Sequence, residues 1–252
     1  MDIAGMNNPL PNLQTAETQQ PLFRGFRNLD DLLTVLADEI VTRLAAGVKR
    51  NGAASFVASG GTTPGALFDV LAKRAAPWKD VAVTLSDERW TEPTSERSNE
   101  HLVRTRLLAG EAAAAALVPM KTPADRARDA EGVVDAAIAR MPRPFDVVLL
   151  GMGEDGHTAS LIPGSDGLAQ ALDMASPALV RAVEPPNVTH MGERMTLTLR
   201  ALLDARWIVI FIKGEGKLTA YKHAMAGSDI LENPVRAVLR QRAVPVSIFW
   251  TE

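Results

Sequence analysis

The chain has 252 residues, 46% hydrophobic and 23% charged, with 27 basic and 30 acidic side chains and a formal net charge of −3. This suits one large α/β domain or two small ones with a proper buried core, and the balanced charge argues against a nucleic-acid partner. Cysteine is absent, which excludes disulfides, thiolate nucleophiles and cysteine-built metal sites.

The opening text, MDIAGMNNPLPNLQ, has no basic start and no apolar segment of the signal-peptide kind. Residues 1–22 are polar and aperiodic and are expected to form a flexible N-terminal arm, with a single domain over 23–252. The longest strongly apolar runs, such as WIVIFI at 207–212, are far too short to span a bilayer. No membrane contact is expected, and the cytoplasm is the expected location.

Leu29, Leu32, Leu33, Leu36, Ile40, Val41 and Leu44 fall at helical spacing, and Asn51-Gly52 supplies a stop. SFVA (55–58) reads as a strand, followed by SGGTTP and a helix from Pro64. VAVTLS (81–86) is a strand, followed by DERW read as a loop. SNEHLVRTRLLAG begins at Ser98 as a candidate N-cap and ends at Gly110. VPMKT is expected to be a short strand and PADRARDAEGVVDAAIARM a helix. FDVVLL is a central strand. ALVRAV, MTLTL, WIVIFI and VSIFW are further strands, and GKLTAYKHAMAG and PVRAVLRQ are helices. Short buried strands alternating with helices indicate an α/β, Rossmann-like fold, with a mostly parallel sheet covered by helices on both faces. Ligands in such sheets sit beyond the carboxyl ends of the strands, so the loops that follow strands directly carry the functional reading.

The first such loop is GMGEDGH (151–157), whose glycines match G-x-G-x-x-G. A dinucleotide turn needs a long helix after its glycines, and Pro163-Gly164 leaves room for a turn and a half at most. Glu184, at the end of the next strand, is the one candidate for a ribose-binding carboxylate. The nicotinamide-oxidoreductase reading is therefore weak. Asp155-Gly156-His157 carries more chemistry. An imidazole with an unperturbed pKa of about 6.5 can take and return a proton at neutral pH, and a neighbouring carboxylate can fix its tautomer. His101, His190 and His223 have no such supporting pattern and read as ordinary structural residues.

Ser59-Gly60-Gly61-Thr62-Thr63-Pro64 combines glycines, hydroxyls and a helix-opening proline. Free amides and the helix dipole there favour a phosphate or carboxylate, and the alternative is a plain capped turn. Ser86-Asp87-Glu88-Arg89-Trp90 follows a buried strand, and Arg89 is suited to an oxyanion. Arg194 opens RMTLTL, and Lys213 and Lys217 flank KGEGK, where a lysine at a helix start is locally unfavourable unless an anion compensates. A solvated face is the alternative for these cations. There is no metal-ligand spacing and no G-x-S-x-G elbow.

Taken together, SGGTTP at 59–64, SDERW at 86–90, RSNEHL at 97–102, LLGMGEDGHTASLIPG at 149–164, ERMTLTLRAL at 193–202 and Lys217 make the sequence similar to the 6-phosphogluconolactonase family. That family lies within the larger group shared with glucosamine-6-phosphate deaminases. The likeness runs in order from about residue 25 to 250. The resemblance implies a Rossmann-like fold without a nucleotide cofactor, and metal-free hydrolysis of 6-phospho-D-glucono-1,5-lactone in the oxidative pentose phosphate pathway. It implies His157 as general base, Asp155 as its support and Arg89 as a stabiliser of the oxyanion. Gly60, Gly61, Thr62, Asp87, Arg194 and Lys217 would bind the phosphorylated substrate. No cofactor and no obligate protein partner are implied. Deaminases of the group carry a tyrosine where this chain has Arg89 and a proton-exchanging glutamate where it has Ile162, which counts against deamination. A non-catalytic sugar-phosphate sensor on the same fold is the remaining alternative.

Overall fold

The computed structural model describes residues 20–186 and 192–252. The expected arm at 1–19, and His190, lie outside the described residues. Ten strands occur among the described residues: β1 (Leu22–Phe26), β2 (Ala54–Ala58), β3 (Val81–Leu85), β4 (Asp87–Arg89), β5 (Ala116–Leu117), β6 (Val147–Leu150), β7 (Val180–Val183), β8 (Arg194–Leu197), β9 (Ile208–Lys213) and β10 (Val246–Thr251). Seven form one sheet in the order β1-β10-β9-β6-β2-β3-β5, and every pairing in it is parallel. Strands β2 and β6 are buried at every position. Successive side chains of a strand point to opposite faces, so both faces of the sheet centre are covered, as the continuous apolar runs of the sequence require.

The principal helices are α1 (Leu29–Asn51), α2 (Thr62–Leu71), α3 (Asn99–Leu102), α4 (Glu131–Ala139), α5 (Leu168–Leu172), α6 (Leu199–Leu203), α7 (Glu215–Ala226) and α8 (Val235–Arg240). Helix α1 follows its sequence signals closely. Asn28 caps it by accepting the Asp31 N–H, Asp30 and Asp31 sit in its first turn, Lys49 and Arg50 in its last, and left-handed Gly52 ends it. Leu32, Leu36, Ile40 and Leu44 form its fully buried stripe.

Chain direction in the sheet reverses between β2 and β6. From β2 the chain moves outward to β3 and β5, and from β6 it moves the other way to β9 and β10. The crevice beyond the carboxyl ends of β2 and β6 is thus the topological switch point, where open α/β sheets bind ligands. SGGTTP leaves β2 and GMGEDGH leaves β6, so the two glycine-rich loops are neighbours.

Five expectations are corrected. LFRGF, at the arm boundary, forms edge strand β1, paired with β10 through Leu22↔Ser247 to Phe26↔Thr251. The expected strand VPMKT is replaced by Ala116–Leu117 just before it. The helix expected from Pro123 starts as a 3-10 turn at Ala127–Ala130 and becomes α-helical only at Glu131. DERW is mostly strand: β4 joins β8 and β7 in a separate antiparallel sheet, order β4-β8-β7. Ser98 does cap α3, accepting the His101 N–H, but the helix passes into a π-turn at Val103–Leu107 and ends there.

Phe56 is fully buried in the centre of β2. Phe56→Ala is expected to lower unfolding free energy by ~3–5 kcal/mol, measured by urea unfolding. The residual folded fraction should keep its catalytic behaviour, because the side chain does not line the cleft.

Candidate active site

Beyond the switch point lies a cavity of about 250 Å³, lined by both glycine-rich loops, by β4 and β8, and by the start of α7. Gly60, Gly61, Thr62, Asp87, Arg89, His157, Arg194 and Lys217 all line it, together with Lys213. Asp155 lies alongside and joins through His157, whose Nδ1 is 2.6 Å from Asp155 Oδ1. The same carboxylate oxygen accepts the His157 backbone N–H at 3.1 Å. The hydrogen bond from His157 holds the Asp155 carboxyl down at about 2, against a burial contribution that raises it. Asp155 is therefore anionic at any ordinary pH, and a carboxylate can only accept. Neutral His157 must then carry its proton on Nδ1, which leaves Nε2 as a lone-pair acceptor at the cleft.

The loop that presents His157 is a tight turn with no helix behind it, since the next helix begins at Leu168. Gly153 N–H donates to His157 O at 2.8 Å, and Gly156 N–H to Gly153 O at 3.1 Å. A Cβ on Gly153 would lie 2.2 Å from both Asp155 Oδ1 and His157 Nδ1. Gly156 has φ +77°, and a Cβ there would overlap the Asn233 side chain at 2.1 Å. The glycines thus admit the aspartate–histidine pair and the packing of Asn233. Glu184, the candidate ribose ligand, instead pairs with Arg126 and Arg128. On the far side of His157, Ala159 stands at φ +49°, a conformation that costs a non-glycine residue ~1–2 kcal/mol and is characteristic of functional turns.

The pleat of β4 sorts the SDERW residues. Asp87, Arg89 and Arg194 line the cleft, with Thr196, the β8 partner of Asp87, on the same face of the sheet, whereas Glu88 and its partner Met195 point the other way. Glu88 is fully buried. It accepts the N–H groups of Arg89, Asn99 and Glu100 at 2.7–2.8 Å, and the Ser98 hydroxyl at 2.9 Å. Burial pushes its carboxyl above the usual range, and these four donors pull it back. Glu88 is therefore a structural cap on α3, outside the cleft.

Arg89 and Arg194 stand directly opposite each other on paired strands, an arrangement that is unfavourable for like charges. Their Nε atoms are buried without a hydrogen-bond partner among the described residues. Burial lowers the Arg194 guanidinium, Asp87 raises it, and Arg89 and Arg97 lower it again. Across the cleft, α2 starts at Gly61 with no side-chain cap and no acidic residue in its first turn, and Lys217 occupies the first turn of α7. Arg89 Nη1 donates to Arg97 O at 2.6 Å and Arg194 Nη1 lies 4.0 Å from Asp87 Oδ2, so the arginines are partly answered, but the cleft keeps an excess of positive partial and full charge that suits an anionic ligand.

Sequence reasoning passed over Asn99, Ser160, Thr196 and Asn233. Asn99 donates to Asp87 O at 2.8 Å, and the SNE text around it was the available signal. Ser160 lies in the same loop as His157 but reaches Asp87 only through the tertiary fold, and Asn233 meets Gly156 in the same way, so no local pattern marks these contacts. Replacing Glu88 by alanine strands buried donors and is expected to cost at least ~2 kcal/mol, read as a lower melting temperature. Gly156→Ala should displace Asn233 and the loop, and abolish most activity while the protein still folds, as checked by circular dichroism and assay together.

The family model described as "Glucosamine-6-phosphate isomerases/6-phosphogluconolactonase" matches residues 27–250. The chain is 42% identical over 226 residues to a 6-phosphogluconolactonase of Rhizobium meliloti (strain 1021), covering 89% of this chain and 96% of that one. A crystal structure of a 6-phosphogluconolactonase from Shewanella baltica OS155 superposes with a TM-score of 0.90 at 39% identity, covering 94% of this chain and all of that one. A monomeric glucosamine-6-phosphate deaminase shares the fold, with a TM-score of 0.71 at 15% identity over 92% of this chain and 97% of its own.

Proposed function

The chain belongs to the glucosamine-6-phosphate isomerase/6-phosphogluconolactonase family, on its 6-phosphogluconolactonase branch, and we propose that it opens 6-phospho-D-glucono-1,5-lactone by general-base activation of water at His157, without a metal. The observation that carries the mechanism is the 2.6 Å contact between His157 Nδ1 and Asp155, which leaves Nε2 as the acceptor of a ring that lines the cleft.

Water attacks the lactone carbonyl carbon while Nε2 takes its proton. The carbonyl π electrons move to oxygen, and the resulting oxyanion is stabilised by the Arg89 guanidinium. Asp155 stabilises the imidazolium through the Nδ1 hydrogen bond. The tetrahedral intermediate collapses, the bond from carbon to the ring oxygen breaks, and Nε2 returns its proton to that oxygen as the ring opens to a hydroxyl. The product is the open-chain acid, which ionises in water. The phosphate, remote from the reacting carbon, is held by the amides of Gly60, Gly61 and Thr62 with Arg194 and Lys217, with Asp87 set between Arg194 and the loop. Its binding energy positions the carbonyl against the base. We place the activity in one domain over 23–252. The partner is the small-molecule lactone, and the location is the cytoplasm. No helix among the described residues is long and apolar enough to cross a membrane.

Three outcomes are expected. Lactone freshly generated by glucose-6-phosphate dehydrogenase should disappear well above its spontaneous rate with EDTA present, and His157→Ala should reduce kcat by at least ~100-fold with little change in KM. Hydrolysis surviving in that variant would remove His157 from the mechanism. Asp155→Asn permits the wrong ring tautomer and should lower kcat in the same direction. Asp155 also sets an acid-stability window. Its carboxyl titrates at about 2 in the folded chain against an ordinary 3.8, so its contribution is fully present above 3.8 and is lost as pH falls through about 2. Wild type should therefore lose more melting temperature than Asp155→Asn between those values.

A further inference from the structure

Ser160 is fully buried, three residues beyond His157 and next to left-handed Ala159. Its hydroxyl donates to Asp87 Oδ2 at 2.6 Å. Its backbone N–H donates to Thr196 Oγ1 at 3.2 Å, so the residue is fixed to β4 and β8 of the small sheet. Asp87 Oδ1 has separate donors, the Ser86 hydroxyl at 3.0 Å and Asn99 Nδ2 at 3.5 Å. Among the described residues, Oδ2 has the Ser160 hydroxyl alone as a hydrogen-bond partner.

The next group facing Oδ2 is Arg194 Nη1, at 4.0 Å. A guanidinium and a carboxylate in direct contact close to about 2.7–2.9 Å, and both of these side chains are largely buried, where such closure is strongly favoured. The pair nevertheless stops short, and Arg194 keeps a buried, unpartnered Nε.

We propose that Ser160 is a specificity-determining positioning residue. Its hydroxyl occupies Asp87 Oδ2 and holds the carboxylate off Arg194, so that the guanidinium stays available for the anionic end of the substrate. This rests on the reading of Arg194 as a phosphate-side cation. Without the hydroxyl, Oδ2 is a buried carboxylate oxygen with no donor. The shortest relief is rotation onto Arg194, which neutralises the cation the substrate needs. The same bond links the catalytic loop to the sheet that carries both cleft arginines.

The test uses two substrates, 6-phosphogluconolactone and unphosphorylated glucono-1,5-lactone, on wild type, Ser160→Ala, Arg194→Ala and the double variant. Wild type should prefer the phosphorylated lactone in kcat/KM, and Arg194→Ala should erase much of that preference. If it does not, the reading of Arg194 fails, whatever Ser160 does. Given that preference, Ser160→Ala should raise KM for the phosphorylated lactone by about tenfold and leave kcat/KM for the unphosphorylated one within about twofold. In the Arg194→Ala background it should add nothing further, because the group it protects is gone. Equal losses on both substrates would mark Ser160 as merely structural, and so would additivity in the double variant. An unchanged KM would also overturn the proposal. If Ser160→Ala melts too early to assay, Ser160→Cys, which keeps a side chain but donates weakly, is scored by the same substrate ratio.

Discussion

The hydrogen bond between His157 and Asp155 is the interaction on which the site depends. An imidazole is an acceptor on one nitrogen only, and which one is decided by the partner of the other. Asp155, anionic throughout the working range, accepts the hydrogen bond from Nδ1–H and leaves Nε2 as the ring's acceptor. The surrounding turn serves that commitment. Gly153 leaves room for the pair, Gly156 takes the backbone through a left-handed residue against Asn233, and the Val235 N–H holds Gly156 O at 2.9 Å. His223, by contrast, faces Arg236 Nη2 at 3.3 Å, within a structural cluster that ties the end of α7 to α8.

The second constraint is the reversal of strand order between β2 and β6. It separates the loops that follow these strands enough to form a crevice, and it keeps them side by side. The small antiparallel sheet then closes the crevice with a different kind of chemistry. Its pleat sends Asp87, Arg89 and Arg194 toward the cleft, and buries Glu88 as a helix cap. Two opposed arginines, a helix start without a side-chain cap and Lys217 gather positive charge that the protein answers only in part. On the proposed function, a bound phosphate offsets the remainder, and its binding energy places the reacting carbonyl.

Much of this was legible in sequence because the signals are local. Strands β2, β6 and β9 are short continuous apolar runs, α1 carries both caps, and the loops with chemistry follow strands directly. The misses have physical causes. Strand β1 lies at a sheet edge with Leu22 and Phe23 largely exposed, so no buried alternation announces it. Strand β5 is two residues within alanine-rich text, where periodicity has nothing to register. DERW reads as a loop because three polar residues in a row lack a period, yet tertiary pairing with β8 makes them a strand. Likewise Asp87 and Glu88 are indistinguishable as letters. Only the pleat separates a cleft residue from a cap. Ser160 and Asn233 act across 73 and 77 residues of chain on Asp87 and Gly156, a relation no local pattern contains.

The most direct measurement is the protonation site of the His157 ring, by nitrogen-15 NMR of histidine-labelled protein, with the signal assigned by its loss in His157→Ala. The account predicts a neutral ring protonated on Nδ1, with Nε2 bare, and the shift pattern of that tautomer absent in Asp155→Asn. A ring protonated on Nε2 in the native protein would contradict it, because the cleft would then meet a donor where the chemistry requires a base.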